Sequence, residues 1–416
     1  MELLTIVNKL IDFFELEDIG ELIDKLKVIE FSNDKNKIYD EYLEIVGDLE
    51  IDWIQKIFQY YKSNRDDLKQ DYTPKSMSKC LAKLLYYKGA RKVLDVCSGS
   101  GSLVIELSKL DDTMTFDCLE LDDNVIPLLL FNLSIHNIQA RVFKYDVIEQ
   151  EMYECYILTK GDKYSDIKKE EVKHQFIGLY DIITSNPPFN LKIKLDYKSK
   201  AGLSVKNSSN AFFTLYCMDH LKENGKCGLI LPTGFITSQK KDDLYLREYL
   251  IQNNLLEVSI SNPGNFFEST PVNTSFIIIN KNTKEEFLLL NCYNLCSEWV
   301  REQRGQFGGA AHTNRVYKKK FNYYSDEDID KILDIVDKNE EVKDCSILVK
   351  KDEFKERNYS FSAGQYFEVV IEKINITQKE YDDMIDKFFK NNEIFCNTML
   401  QAQNVFQNFL YNKGKE

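Results

Sequence analysis

The sequence is short of basic charge, of paired cysteines and of long apolar runs, and each shortage removes a class of protein. Asp and Glu number 67 against 54 Lys and Arg, for a formal net charge of −13 and a pI near 5.1. Nonspecific affinity for nucleic acid comes mainly from neutralising phosphates, so a chain this acidic does not coat nucleic acid unaided and would need local basic patches or a partner. No run approaches the roughly 18 apolar residues of a transmembrane helix. The start, Met1-Glu-Leu-Leu-Thr-Ile6, lacks the basic stretch and cleavage site of a signal peptide. A cytoplasmic protein without membrane attachment is expected. Ten cysteines are scattered, and the close pair Cys292 and Cys296 has no second pair at metal-ligand spacing. Buried reduced thiols are therefore expected, rather than a zinc site, any other metal or a disulfide framework. No internal repeat is visible.

What is present supports a sizeable core: 43% hydrophobic and 12% aromatic residues in a chain of 416. Helical spacing marks residues 1–66, with Leu3, Leu4, Val7, Leu10, Ile11 and Phe14 on one stripe and Trp53, Ile54, Ile57, Phe58 and Tyr61 on another. This region fits a clamp on a substrate or partner as well as it fits a cap on the core. A central α/β domain is expected over 67–320. A helical, polar region should follow over 321–416, with Phe388, Phe389, Phe395, Phe406 and Phe409 near its end as a surface for a partner.

The central domain is legible as alternating strands and helices. Lys92 to Val96 is a short apolar strand containing Asp95, and Ser98-Gly-Ser-Gly-Ser102 opens onto a helix. Gly99 and Gly101 permit a tight turn and close approach to a ligand. The third position of a dinucleotide fingerprint, however, is Val104, and a bare Gly-x-Gly is common in structural turns. The next strand, Thr115 to Glu120, ends in an acid 19 positions after Gly101, near the ~20 expected for ribose recognition. A third strand, Ala140 to Asp146, ends in another. Any one of Asp95, Glu120 and Asp146 could simply cap the helix after it. Three in series form the pattern of a doubly wound sheet with a nucleoside-like cofactor lying across it.

A fourth strand, Asp181 to Ser185, stops at Asn186-Pro-Pro-Phe189. Two successive prolines remove two backbone donors and fix φ, so the Asn186 side chain and nearby carbonyls are held as acceptors facing a pocket. Acceptors held this way suit a substrate amino group. Two basic stretches follow. Residues 190–206 carry Lys192, Lys194, Lys198, Lys200 and Lys206 against Asp196, a net +4, and residues 301–320 carry six Lys or Arg against Glu302, a net +5. On so acidic a protein, both are candidate phosphate contacts. A solvated loop and a flexible linker are the plainer readings. Phe266 and Phe267 fit stacking on a base or sealing the sheet edge. Thr73 and Pro74 supply an ordinary helix start.

The ordered set of motifs resembles S-adenosylmethionine-dependent amino methyltransferases acting on adenine in DNA, and more closely the modification subunits of type I restriction–modification systems. Asn186, Pro187, Pro188 and Phe189 are similar to that family's catalytic signature, and Val93 to Gly101 to its cofactor loop. Gln70-Asp71-Tyr72-Thr73-Pro74 resembles the segment that closes over methionine. The resemblance implies a Rossmann-like methyltransferase sheet with helical extensions at both ends. It implies S-adenosyl-L-methionine held by Asp71, Tyr72, Thr73, Pro74, Asp95, Ser98, Gly99, Ser100, Gly101, Ser102, Glu120, Leu121, Asp146 and Val147. It further implies double-stranded DNA as substrate. Departures are Val96, where the family often has Pro, and Ser102, where it often has Gly. None of the seven prolines precedes a cysteine, unlike cytosine ring-carbon methyltransferases. With no further ~150-residue stretch for target recognition visible, a partner specificity subunit is expected, and a restriction subunit is a further candidate. The rival readings are cytosine N-4, RNA guanine or protein glutamine methylation, and a non-catalytic scaffold that retains the fold.

Overall fold

The structure is a computed structural model, which describes residues 3–17, 19–61, 72–172, 178–267, 270, 272–280, 285–304, 316–368 and 377–413. These fall into two compact units, Met1–Phe367 and Glu368–Glu416. No helix among them is long and apolar enough to cross a membrane.

Four helices open the first unit: α1 (Leu3–Phe14), α2 (Leu22–Ile29), α3 (Lys35–Val46) and α4 (Trp53–Tyr61). Their apolar stripes, among them Ile6, Leu10, Leu26, Tyr39, Ile54 and Ile57, are buried in one cluster. The same cluster takes in Val125, Leu128, Phe131 and Ile135 on or beside a later helix, so the opening helices cap the core that follows.

That core is built from α5 (Lys75–Leu85), β1 (Lys92–Val96), α6 (Ser102–Ser108), β2 (Thr115–Glu120), α7 (Ile126–Ile135) and β3 (Ala140–Asp146). The α7 sequence is apolar on every side except for Asn132 and Ser134, which is the pattern of a helix enclosed all round. Ile126, Leu129, Leu130 and Leu133 face the sheet while Leu128, Phe131 and Ile135 face the opening helices. The polar stretch after β3 forms β4 (Glu151–Thr159) and β5 (Asp166–Glu170), an antiparallel extension of the sheet in which Cys155, Tyr156 and Leu158 of β4 are buried and the charged β5 is the edge.

The chain returns through β6 (Tyr180–Ser185), the small pair β7 (Tyr197–Lys198) and β8 (Ser204–Val205), α8 (Ser209–Asp219), β9 (Leu221–Pro232), α9 (Thr233–Thr237) and α10 (Lys241–Gln252). Then come β10 (Leu256–Ser261), β11 (Thr274–Asn280), β12 (Glu286–Asn291), the ribbon β13 (Ser297–Arg304) and β14 (Val316–Tyr323), α11 (Asp326–Lys338), β15 (Ser346–Lys350) and α12 (Lys351–Glu356). The sheet therefore continues past residue 320, where the central domain is expected to close, because β15 pairs with β12.

Eleven strands run in the order β15-β12-β10-β11-β9-β6-β1-β2-β3-β4-β5. The five from β9 to β3 are parallel. Side chains alternate between two core layers: Ile182, Ile230, Phe276 and Ile278 face one, and Ile183, Leu229, Leu231 and Ile277 face the other. Strand order reverses at β1, with β2 and β3 on one side and β6 and β9 on the other. The carboxyl ends of β1 and β6 thus flank the crevice where open α/β sheets bind ligands.

The second unit contains α13 (Gln378–Lys413), which leaves Tyr381, Ile385, Phe388, Phe395 and Met399 exposed.

Candidate active site

After Val96 the backbone enters the left-handed region three times, at Cys97 (φ 63°), Gly99 (φ 55°) and Gly101 (φ 89°). At Gly101 a Cβ would stand 2.9 Å from Leu129 Cδ1 and 3.2 Å from Leu133 Cδ2, so only glycine lets this turn lie against α7. The loop is tied on several sides. Ser98 N–H donates to Leu119 O (2.9 Å), Gly101 N–H to Ser98 O (3.0 Å) and the Ser98 hydroxyl to Asp95 O (2.9 Å). The hydroxyls of Ser78 and Ser102 share a bond of 2.8 Å, and the Asn132 amide donates to the Ser100 carbonyl at 2.9 Å.

Glu120, at the end of β2, closes the opposite wall. Its Oε2 accepts from Gly99 N–H (2.8 Å), and its Oε1 accepts from the N–H groups of Leu121 (2.8 Å) and Asp122 (3.0 Å). A carboxylate offers about four acceptor sites, so Oε2 retains capacity for one more donor such as a hydroxyl. Burial pushes the Glu120 carboxyl up, and these three N–H groups oppose the shift. Asp146 ends β3 and accepts from Ile148 N–H (2.8 Å) and Glu149 N–H (3.1 Å).

Asp95 is buried behind the loop, and its Oδ1 accepts from the Thr184 hydroxyl at 2.7 Å. Burial drives its carboxyl up to about 7, against the hydrogen bonds from Thr184 and Ser98. Burial likewise raises the Cys97 thiol well above its ordinary range, helped by the nearby Glu120, Asp95 and Asp146 charges.

On the β6 side, the Ser185 hydroxyl donates to Val96 O at 2.6 Å, locking the two strand ends together. Asn186 follows directly, and its side-chain Nδ2 donates to Thr73 Oγ1 at 2.9 Å. Phe189 is buried and meets the Phe267 ring edge-on, with centroids 5.7 Å apart. Tyr72 lies over Gly99, and its hydroxyl is buried with no hydrogen-bond partner among the described residues.

These parts surround one open cleft. Tyr72 and Thr73, then Ser98, Gly99, Ser100 and Ser102, then Glu120 and Leu121, Asp146 and Val147, and Asn186 through Phe189 all line it. Pro74, Asp95 and Gly101 do not line it: Pro74 caps α5, Asp95 braces Thr184 and Gly101 packs on α7. Asp71 lies outside the described residues. Asp122, Tyr145 and Phe213 also line the cleft although no motif marks them, and so does Cys97 within the loop motif. Tyr145 was discoverable as the neighbour of Asp146. Phe213 was not, because in the apolar α8 its ring reads like any core residue. Among the described residues no three His, Cys, Asp or Glu side chains converge as metal ligands.

Beyond Asn190 the chain is extended, with Lys192, Lys194 and Lys198 exposed while Ile193, Leu195 and Tyr197 between them pack towards the core. The ribbon of β13 and β14 exposes Lys318, Lys319 and Lys320, and Trp299 stacks on Phe321 at 5.0 Å. Asn322 at its root bonds to Gly264 O and Asn265 O, on the loop that leads to Phe267. The glycine-rich stretch 305–315 lies outside the described residues.

A family model described as N-6 DNA Methylase matches residues 48–374. A type I restriction enzyme MpnII methylase subunit from Mycoplasma pneumoniae is 25% identical over 339 residues, 76% of this chain and 57% of its own length. A type I restriction enzyme MjaVIII methylase subunit from Methanocaldococcus jannaschii is 24% identical over 362 residues, 83% of this chain and 57% of its own length. The chain thus spans somewhat over half the length of these relatives. A solved type I restriction-modification methyltransferase subunit from Streptococcus thermophilus shares the fold, with a TM-score of 0.58 and 18% identity over 88% of this chain and 80% of that one.

Proposed function

The chain belongs to the N-6 DNA methylase family, and on that premise we propose that it transfers a methyl group to the exocyclic N-6 amine of adenine in double-stranded DNA, as the modification subunit of a restriction–modification complex. The observation that carries this reading is the junction at the switch point. Asn186 through Phe189 shares one cleft with the Ser98–Ser102 loop and Glu120.

The cleft suits S-adenosylmethionine. Glu120 Oε2 would take a ribose hydroxyl, and the buried Tyr72 hydroxyl, costly to leave unpaired, would gain a partner. The loop residues Ser98 to Ser100 and Asp146 line the remaining wall. When bound, this cofactor supplies an activated methyl group on a sulfonium.

The chain's own residues prepare the other reactant. Adenine's amine is a poor nucleophile because its lone pair is delocalised into the ring, and it is unreachable inside a duplex, so the base must be flipped out. The Asn186 side-chain oxygen and the Pro187 carbonyl accept hydrogen bonds from the amine and draw electron density back onto its nitrogen. The proline pair holds those acceptors still, so orientation is set before the substrate arrives. Phe189 stacks on the ring.

DNA is met by the exposed row Lys192, Lys194 and Lys198 and by the ribbon lysines, local cations on an acidic chain. Target choice belongs to a separate specificity subunit, docked on α13. There Tyr381, Ile385, Phe388, Asn392, Phe395 and Met399 recur at alternating intervals of four and three, the seam of a coiled coil. The regions expected as a helical N-terminal domain (1–66), a methyltransferase domain (67–320) and a partner-contact region (321–416) are sharpened accordingly, with partner contact confined to the second unit. A nuclease subunit could join the same complex.

The test is to co-purify the chain with whatever is encoded beside it, expose DNA to the complex and identify modified nucleosides by mass spectrometry. N-6-methyladenine is expected, absent with Asn186→Ala although cofactor binding by calorimetry survives. N-4-methylcytosine, or no modified base at all, would overturn the proposal, and robust site-specific methylation by the lone chain would overturn the division of labour.

A further inference from the structure

Asp52 lies before every motif and Asn132 in the apolar helix that follows Glu120, yet together they connect the opening helices to the cofactor loop. Asp52 precedes α4, and its Oδ1 accepts from Gln55 N–H at 2.8 Å, capping that helix. Its Oδ2 accepts from Asn132 Nδ2 at 2.6 Å. The same amide nitrogen donates its second hydrogen to the carbonyl of Ser100, between the two loop glycines, at 2.9 Å. Asn132 is 5% exposed on a helix otherwise almost wholly apolar. An amide is costly to bury there unless both hydrogens are used, and here both are.

We propose that Asp52 and Asn132 act as one positioning unit that holds the Gly99–Gly101 loop in its ligand-binding shape, making cofactor affinity depend on this bonded link to the helical cap. This rests on the reading of the cleft as an S-adenosylmethionine site. The physical reason is the loop's backbone. Gly99 and Gly101 turn it through positive φ with the freedom glycine has, so its shape must be fixed from outside. Just before them Cys97, a non-glycine residue at φ 63°, holds a conformation that persists only when its surroundings over-determine it. The Ser100 carbonyl is held from α7, and α7 in turn is held through Asp52 to the cap. The charged acceptor makes the Asp52–Asn132 bond the strong one of the pair. Losing Asp52 leaves an Asn132 hydrogen unpaired and the amide free to turn away from Ser100. Losing Asn132 releases the loop directly.

The experiment measures S-adenosylmethionine and S-adenosylhomocysteine binding by calorimetry on the full chain without DNA. Asp52→Ala and Asn132→Ala should each weaken both ligands roughly tenfold, and the double variant should be no weaker than Asn132→Ala alone, because the two residues serve one contact. Hydrogen exchange of the ligand-free chain should show faster exchange at amides 98–102 in both variants. Ile57→Val, which loosens α4 inside the cap without touching this chain of bonds, should leave affinity and loop exchange unchanged. Unaltered affinity in both single variants, additive losses in the double, or an equal loss with Ile57→Val would overturn the proposal. A wild-type chain that binds neither ligand would instead overturn the reading of the cleft.

Discussion

The side-chain nitrogen of Asn186 donates to Thr73 Oγ1 across 2.9 Å, joining the residue after β6 to the segment that leads into α5. Because the nitrogen is engaged with Thr73, the oxygen is the end of the amide suited to receive a substrate amine. Thr73→Val removes the acceptor and lets the amide rotate, so methyl transfer by the assembled complex should fall roughly ten- to a hundredfold in kcat. Thr73→Ser should restore most of it. Steady-state kinetics of the two variants, with equal rates as the contrary outcome, decide whether the hydroxyl orients Asn186.

Gly101 and Gly202 both have positive φ, 89° and 81°, but they differ in surroundings. A Cβ at Gly101 meets Leu129 Cδ1 at 2.9 Å, whereas at Gly202 nothing lies within 4 Å. Gly202→Ala should cost about 1 kcal/mol from backbone conformation alone. Gly101→Ala should add ~1–3 kcal/mol of overpacking against α7. Denaturant unfolding of both variants checks the order, and equal losses would mean that α7 yields freely.

Burial drives Asp95 up to about 7, against an unfolded-state value near 4. Between those values the folded chain binds a proton that the unfolded chain does not. The contribution of Asp95 to stability is therefore complete below about pH 4 and declines as pH rises towards 7, by up to ~1.4 kcal/mol per pH unit. Asp95→Asn, which cannot ionise, should flatten that decline. Unfolding midpoints at pH 5 and pH 7.5 for the two proteins measure the difference, and parallel slopes would place the ionisation elsewhere.

Along α13, Phe388 and Phe395 are 61% and 62% exposed. Phe388→Glu with Phe395→Glu should abolish co-purification of the proposed specificity subunit and leave cofactor binding by this chain intact, since the cleft lies wholly in the first unit. Retained co-purification would remove α13 as the docking element.

Much of this architecture could be read directly from the chain. The strands Thr115–Glu120 and Ala140–Asp146 have the bounds that alternation and terminal acids indicate, because both are buried parallel strands with a polar stop. The segment between β3 and β6 reads as polar overall, because charged residues flank the short apolar run Cys155 to Leu158 of β4 and make up most of the edge strand β5. The acids divide in the same way. All three end strands or stand near a strand end, but only Glu120 and Asp146 reach the cleft, while Asp95 faces Thr184 on the neighbouring strand. Pairing of β1 with β6 decides this, and that pairing spans nearly ninety residues of sequence.

By itself the sequence determined the elements whose cause is local: the apolar strands, the glycines that turn the loop, the proline pair that stiffens Asn186 and the amphipathic cap. Their causes are steric and periodic, so they act within a few residues of where they are written. Only the tertiary structure decided which polar atoms meet. Asp52 bonds to Asn132 across 80 positions, and Asn186 to Thr73 across 113. Such bonds depend on how whole layers pack before any hydrogen bond is made, and no spacing along the chain encodes them.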